Sequence, residues 1–162
     1  LPVRDGLCYD EDRTVANVFL LVLSFLLTLP SPAARPIESA FLQNSARTLK
    51  DLFATGGTIP VFLPEPLSFA DQVSPEQAVL LFERIFADFK TTEFTTDSRL
   101  SRFPASPGTI LRARWSFRNE RTGNHFPFRI FFLLAPQETG GAPPPKGAAV
   151  RLRIVEIRAE RL

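Results

Sequence analysis

The sequence predicts an α+β domain in which two amphipathic helices precede an antiparallel sheet of about four strands. Three patterns carry that expectation. An apolar stripe at helical spacing follows a capping box at residue 74. Two later stretches, residues 109–118 and 125–134, alternate apolar and polar side chains with the period of a strand. Everything after Thr91 reads as strand, with both helical signals before it, which separates this class from alternating β/α folds.

The chain has 162 residues, room for one domain with appendages. Phenylalanine dominates its aromatic content, with 16 Phe against one Tyr and one Trp. With Leu1 first and no Met, the chain is expected to be a fragment or the product of an unusual start.

Residues 14–34 carry no charge, and residues 15–29 (VANVFLLVLSFLLTL) form a dense apolar run. It closes on Pro30, Ser31, Pro32, Ala33 and Ala34, the helix breakers and small residues with which a secretory signal ends. Arg13 places a positive charge before the run, although Asp5, Asp10, Glu11 and Asp12 make the upstream stretch acidic. The expected organisation is a signal peptide over residues 1–34 and a single domain over 35–162. Cleavage is expected between Ala33 and Pro36, with export to a periplasmic or extracellular space. The alternative is a membrane anchor over residues 15–34, but the strongly apolar part is about 15 residues, short of the ~20 that span a bilayer. Cys8 precedes the run, so the mature chain would hold no cysteine, disulfide or thiolate ligand.

Residues 36–53 (PIESAFLQNSARTLKDLF) read as the first helix, with Ile37, Phe41, Leu49, Leu52 and Phe53 on one face. Pro36 suits a first helical turn and Gly56-Gly57 are expected to end the helix. Residues 58–63 (TIPVFL) are strand-like, but Pro60, Pro64 and Pro66 confine them to an edge or a loop. Ser74-Pro75-Glu76-Gln77 is a capping box with proline in the first helical position. Ala78, Leu81, Phe82, Ile85, Phe86 and Phe89 then form one apolar stripe.

Residues 94–103 alternate loosely. In 109–118 (TILRARWSFR), Leu111, Ala113, Trp115 and Phe117 share one face and Arg112, Arg114, Ser116 and Arg118 the other. Residues 119–124 form a hairpin loop. In 125–134 (HFPFRIFFLL), Phe126, Phe128, Ile130, Phe132 and Leu134 fall on one face. Residues 135–149, rich in Pro and Gly, are expected to be a mobile hairpin tip. Residues 150–161 close the sheet, and a change of apolar phase between Ile154 and Val155 predicts a bulge. The second sheet face is expected to be polar.

Ser74, Gln77 and Ala78 at the helix start, with Phe86 and Phe94 after them, resemble bacterial exported domains of unknown function. Those domains lie within the nuclear transport factor two-like superfamily. Phe128-Arg129-Ile130 and residues 154–158 (IVEIR) are similar to strands of the same domains. The resemblance spans residues 37–161 and implies a cone in which helices pack inside a curved sheet. It departs at residues 95–98, which offer neither the His nor the Gly found there in that family. Enzymes of the superfamily such as ketosteroid isomerases imply a carboxylate base and a phenolic or protonated-carboxyl donor in an apolar pocket. Tyr9, the sole tyrosine, lies before the signal, which leaves Asp71, Glu83, Asp88, Glu93 and Asp97 as acids or bases.

No catalytic constellation, metal-ligand spacing or phosphate-binding loop stands out, and no cofactor is expected. His125, the sole histidine, follows a hairpin loop, where a solvated role is expected. Two surfaces are candidates for binding. Phe82, Phe86, Trp115 and Phe128 would line an apolar ligand cavity or simply fill the core. Arg112, Arg114, Arg118 and Arg129 would form a basic sheet face for an anionic envelope component, or a solvated outer surface. Arg151 and Arg153 would join that face in a suitable register. A net charge of +2 without exposed aromatics between the arginines argues against nucleic acid. The expected function is a non-enzymatic binding or protein-interaction module. A small isomerase or dehydratase using a pocket carboxylate, and a homodimer formed through the sheet, remain open beside it.

Overall fold

The computed structural model describes residues 34–97, 101–102, 108–137 and 151–162, with backbone alone at 101 and 102. All belong to one compact unit, Ser31–Leu162. The apolar run, Cys8, Tyr9 and most of the 135–149 stretch lie outside the described residues.

Helix α1 spans Ala34–Leu42 and buries Ile37, Ala40 and Phe41. The single helix expected over 36–53 is broken there, and α2 is a separate short helix, Ala46–Lys50. The break has a local cause. Asn44 takes a left-handed backbone, φ 50°. Its N–H donates to Phe41 O (3.1 Å) and the Ser45 N–H to Ala40 O (2.9 Å). Those two bonds satisfy the last carbonyls of α1 in a Schellman motif, with asparagine in place of the usual glycine. The Asn44 side chain in turn accepts the Thr91 N–H at 2.9 Å, which fastens the turn to the sheet.

Gly56 and Gly57 do not end a helix, because α2 has already stopped at Lys50. The chain instead runs beside the last strand. Phe53 bridges Ile154 in parallel, with Ile154 N–H to Leu52 O at 2.7 Å and Ala54 N–H to Ile154 O at 3.0 Å. The glycines, at φ 89° and 78°, then form the loop into β1 (Ile59–Leu63).

Strand β1 pairs antiparallel with β2, Phe69–Val73, a strand the periodicity did not reveal. Helix α3 (Pro75–Asp88) has the expected start: Gln77 N–H donates to Ser74 Oγ (3.2 Å) and Ser74 N–H to Gln77 Oε1 (2.9 Å). Hydrogen bonding from the backbone and from the Ser74 hydroxyl holds the Glu76 carboxyl below the ordinary glutamate range, with a smaller contribution from the Lys50 charge. The helix ends one residue before Phe89, which has extended backbone and opens β3 (Phe89–Thr96).

Next come β4 (Ser101–Arg102), β5 (Thr109–Asn119), β6 (His125–Pro136) and β7 (Leu152–Arg161). The sheet path is β2-β1-β7-β6-β5-β3, with the two-residue β4 paired to β5. Six strands lie on that path, seven in the sheet with β4, where about four were expected. The main difference comes from β1 and β2, because the free side of β7 recruits β1. That β1–β7 pairing is parallel, so the sheet is mixed. It also puts β1 inside the sheet and not at an edge. The ladder to β7 begins at Val61, so the missing N–H of Pro60 falls just outside it. The bulge expected near Val155 is present: Leu133 faces Glu156 and Leu134 faces Ile154, leaving Val155 unpaired.

The helices cover the inner face of this curved sheet. Leu111, Ala113, Trp115 and Phe117 of β5 meet Phe128, Ile130, Phe132 and Leu134 of β6 in one core with Phe41, Phe82 and Phe86. Trp115 settles its one polar atom by donating Nε1–H to Thr91 Oγ1 at 3.0 Å.

Candidate functional site

The structure separates the two candidate surfaces. Phe82, Phe86, Trp115 and Phe128 are all in the shared interior, none more than 3% exposed. Phe41 stands at their centre, with ring centroids 5.7 Å from Phe82, 5.5 Å from Phe86 and 5.0 Å from Trp115. Phe94 stacks on it at 4.5 Å, and Trp115 lies 6.2 Å from Phe128. Rings at these spacings are in contact, so these four side chains pack against aromatic neighbours. No polar or charged side chain is buried among the described residues. Asp71, Glu83, Asp88, Glu93 and Asp97, the carboxylates an interior acid–base site would draw on, are exposed. His125 is also exposed, across from Arg118. Among the described residues no group of three or more metal-ligating side chains is close enough to hold an ion.

Arg112, Arg114, Arg118 and Arg129 share the outer face, as the alternation requires. Strand pairing sets Arg114 directly across from Arg129, and Arg129 across from Glu160. A shallow recess of about 420 Å³ lies over Arg112, Arg114 and Arg129, but Glu93 and Asp97 line it too. Arg118 pairs with Glu120 at 3.4 Å and Arg129 with Glu160 at 3.9 Å. Past the bulge, Arg153 instead bonds Gln137 Oε1 at 2.8 Å. The face is therefore of mixed charge, not uniformly basic.

The sequence predicts that this face is polar, and the structure departs from that expectation. Ile110, Phe131 and Leu133 line a second groove of about 390 Å³, rimmed by Glu156, Arg158 and Glu160. Phe62 of β1 extends the apolar surface and is 40% exposed. Two arginines lie over these rings: Arg112 is 5.6 Å from the Phe131 centroid and Arg158 5.0 Å from that of Phe62. Arg158 also pairs with Glu156. The signal for this patch was the run Phe131-Phe132-Leu133-Leu134. Four consecutive apolar residues in a strand put two on each face, and only the inner pair was assigned.

Comparison with known proteins gives the fold and little more. No protein-family model matches the chain, and neither does any curated protein. Solved structures do match. A ketosteroid isomerase-like protein from Erwinia carotovora is 12% identical, with a TM-score of 0.56 over 80% of this chain and 91% of that one. A provisionally named calcium/calmodulin-dependent protein kinase type II association domain from Thiobacillus denitrificans is 13% identical. Its TM-score is 0.54, over 83% of this chain and 98% of its own. A provisionally named dehydratase of the NTF2-like family from Streptomyces avermitilis is 9% identical, with a TM-score of 0.53 over 80% and 91% of the two chains. The chain thus has the nuclear transport factor 2-like fold.

Proposed function

We propose that this chain is an exported, non-enzymatic protein-interaction module that works through the outer face of its sheet. The carrying observation is the contrast between its two faces. The inner one is occupied by touching aromatic rings. The outer one presents exposed Phe62 and half-buried Ile110, Phe131 and Leu133 among charges of both signs. A partly exposed apolar patch with a polar rim is the usual anatomy of a protein contact. Glu156 and Glu160 beside the arginines favour a protein surface over an anionic lipid or glycan, which would meet repulsion from both acids. The apolar run over residues 15–29 supports an exported setting.

The names of the isomerase-like and dehydratase neighbours suggest a second reading, a carboxylate acting in the interior. The exposure of all five candidate carboxylates weighs against it.

Photo-crosslinking in the full chain tests the interaction reading. A benzophenone side chain replaces Phe131 in one version and Leu80 in another. Leu80, on α3, is 63% exposed, so it controls for exposure alone. A discrete covalent adduct is expected from position 131 and none from position 80. No adduct at 131, or the same adducts from both positions, would overturn the proposal.

A further inference from the structure

We infer that the free edge of β2 is a template on which the β2 of another copy would extend the sheet, and that the Asp71 carboxylate is the device that keeps this edge closed. The inference concerns the rim of the sheet and is independent of the outer-face reading above.

The sheet path ends on β3 at one side and on β2 at the other. Helix α1 meets the β3 end: Glu38 accepts from Thr96 Oγ1 at 3.4 Å, and the Asn44 side chain accepts the Thr91 N–H at 2.9 Å. Strand β2 has no such cover, and Ala70, Asp71 and Gln72 are all exposed.

A proline decides which backbone groups of β2 face outward. Pro60 stands opposite Gln72. It has no N–H to give, so this is one of the non-hydrogen-bonded pairs of an antiparallel ladder. The bonded pairs are then Ile59 with Val73, Val61 with Asp71 and Leu63 with Phe69. The N–H and C=O groups of Ala70 and Gln72 therefore point away from β1, which is the pattern an added strand pairs with. One of the two outward donors is already taken. The Gln72 N–H donates to Asp71 Oδ1 at 2.7 Å, as the Thr91 N–H does to Asn44 at the opposite end of the sheet. The Ala70 N–H has no partner among the described residues.

Asp71 also acts through its charge. An antiparallel β2–β2 pair would bond Ala70 of each copy to Gln72 of the other and set the two Asp71 residues face to face between them. That central pair is non-hydrogen-bonded, with Cα atoms about 4.5 Å apart, and like charges there are destabilising. Asp71 is the only charged residue of β2. Without it the strand is an uncharged edge with both outward donors open, the kind that pairs with its own copies.

The test uses the full chain, by amide hydrogen exchange and by sedimentation across a concentration series. In the native chain at low concentration, the Gln72 amide should exchange several-fold more slowly than the Ala70 amide after correction for intrinsic rates. Asp71→Ala should abolish that difference and strengthen self-association at least about tenfold over native, equivalent to about 1.4 kcal/mol. Adding Gln72→Pro to Asp71→Ala should return association to the native level, because it removes an outward N–H that β1 does not use. Asp71→Lys should stay at the native level too, since it restores a like charge opposite its counterpart and does not depend on proline being accommodated. Melting temperatures establish that each variant is folded. An Asp71→Ala chain that associates no more than native, or a native Gln72 amide that exchanges as fast as that of Ala70, overturns the inference. Added association that persists in both Asp71→Ala/Gln72→Pro and Asp71→Lys overturns β2 as the edge involved.

Discussion

Phe41 lies within 5.7 Å, centroid to centroid, of Phe82, Phe86, Phe94, Trp115 and Phe132. Truncating such a ring removes its transfer free energy and leaves a cavity, at about 3–5 kcal/mol for phenylalanine. That is a large share of the roughly 5–15 kcal/mol that holds a domain folded. Phe41→Ala should therefore lower the urea midpoint sharply, while Leu80→Ala on the exposed side of α3 should change stability by no more than about 0.5 kcal/mol. Equal effects from the two substitutions would contradict the shared core. Which ring sits at the centre was not legible in the sequence. Periodicity assigns Phe41 to a helical face, as it does Phe82, but it does not say that α1 and α3 meet over that ring.

Among the elements, those whose signal is local were the readable ones. The capping box fixes the start of α3 because both of its hydrogen bonds lie within four residues. Strand β5 alternates cleanly because one of its faces is fully buried. The bulge at Val155 showed as a slip of apolar phase for the same reason. The elements that were missed depend on distant partners. Strand β2 buries only Val73 fully among its five residues, so it carries no alternation, and it is a strand because β1 pairs with it. The break between α1 and α2 rests on the left-handed Asn44, whose side chain holds Thr91, 47 residues away. Asn44→Gly should keep the backbone and lose that hydrogen bond, costing about 1 kcal/mol. Asn44→Ala should cost about 1–2 kcal/mol more, because alanine does not favour the left-handed region. Urea unfolding of both variants checks the order, and an alanine variant as stable as the glycine one would refute this account of the turn.

At the scale of the whole molecule, the fold leaves two surfaces of opposite character. Helices and sheet close on a phenylalanine interior, and the sheet's other face carries an apolar strip edged by Arg and Glu. The candidate site was half legible. The arginines of β5 and β6 were placed on the correct face, because alternation alone assigns faces. The acids and rings beside them were not, because their placement depends on the β6–β7 register and on the recruitment of β1. The phenylalanines were legible as apolar mass, but not as filling or lining, since that distinction is one of three-dimensional contact.

The most direct test is nuclear magnetic resonance of the phenylalanine rings of the full chain with a soluble gadolinium chelate. The chelate should broaden the ring signals of Phe62 and Phe131 and spare those of Phe41, Phe82, Phe86 and Phe128. Broadening of the Phe82, Phe86 or Phe128 rings would reveal an open interior and contradict the account.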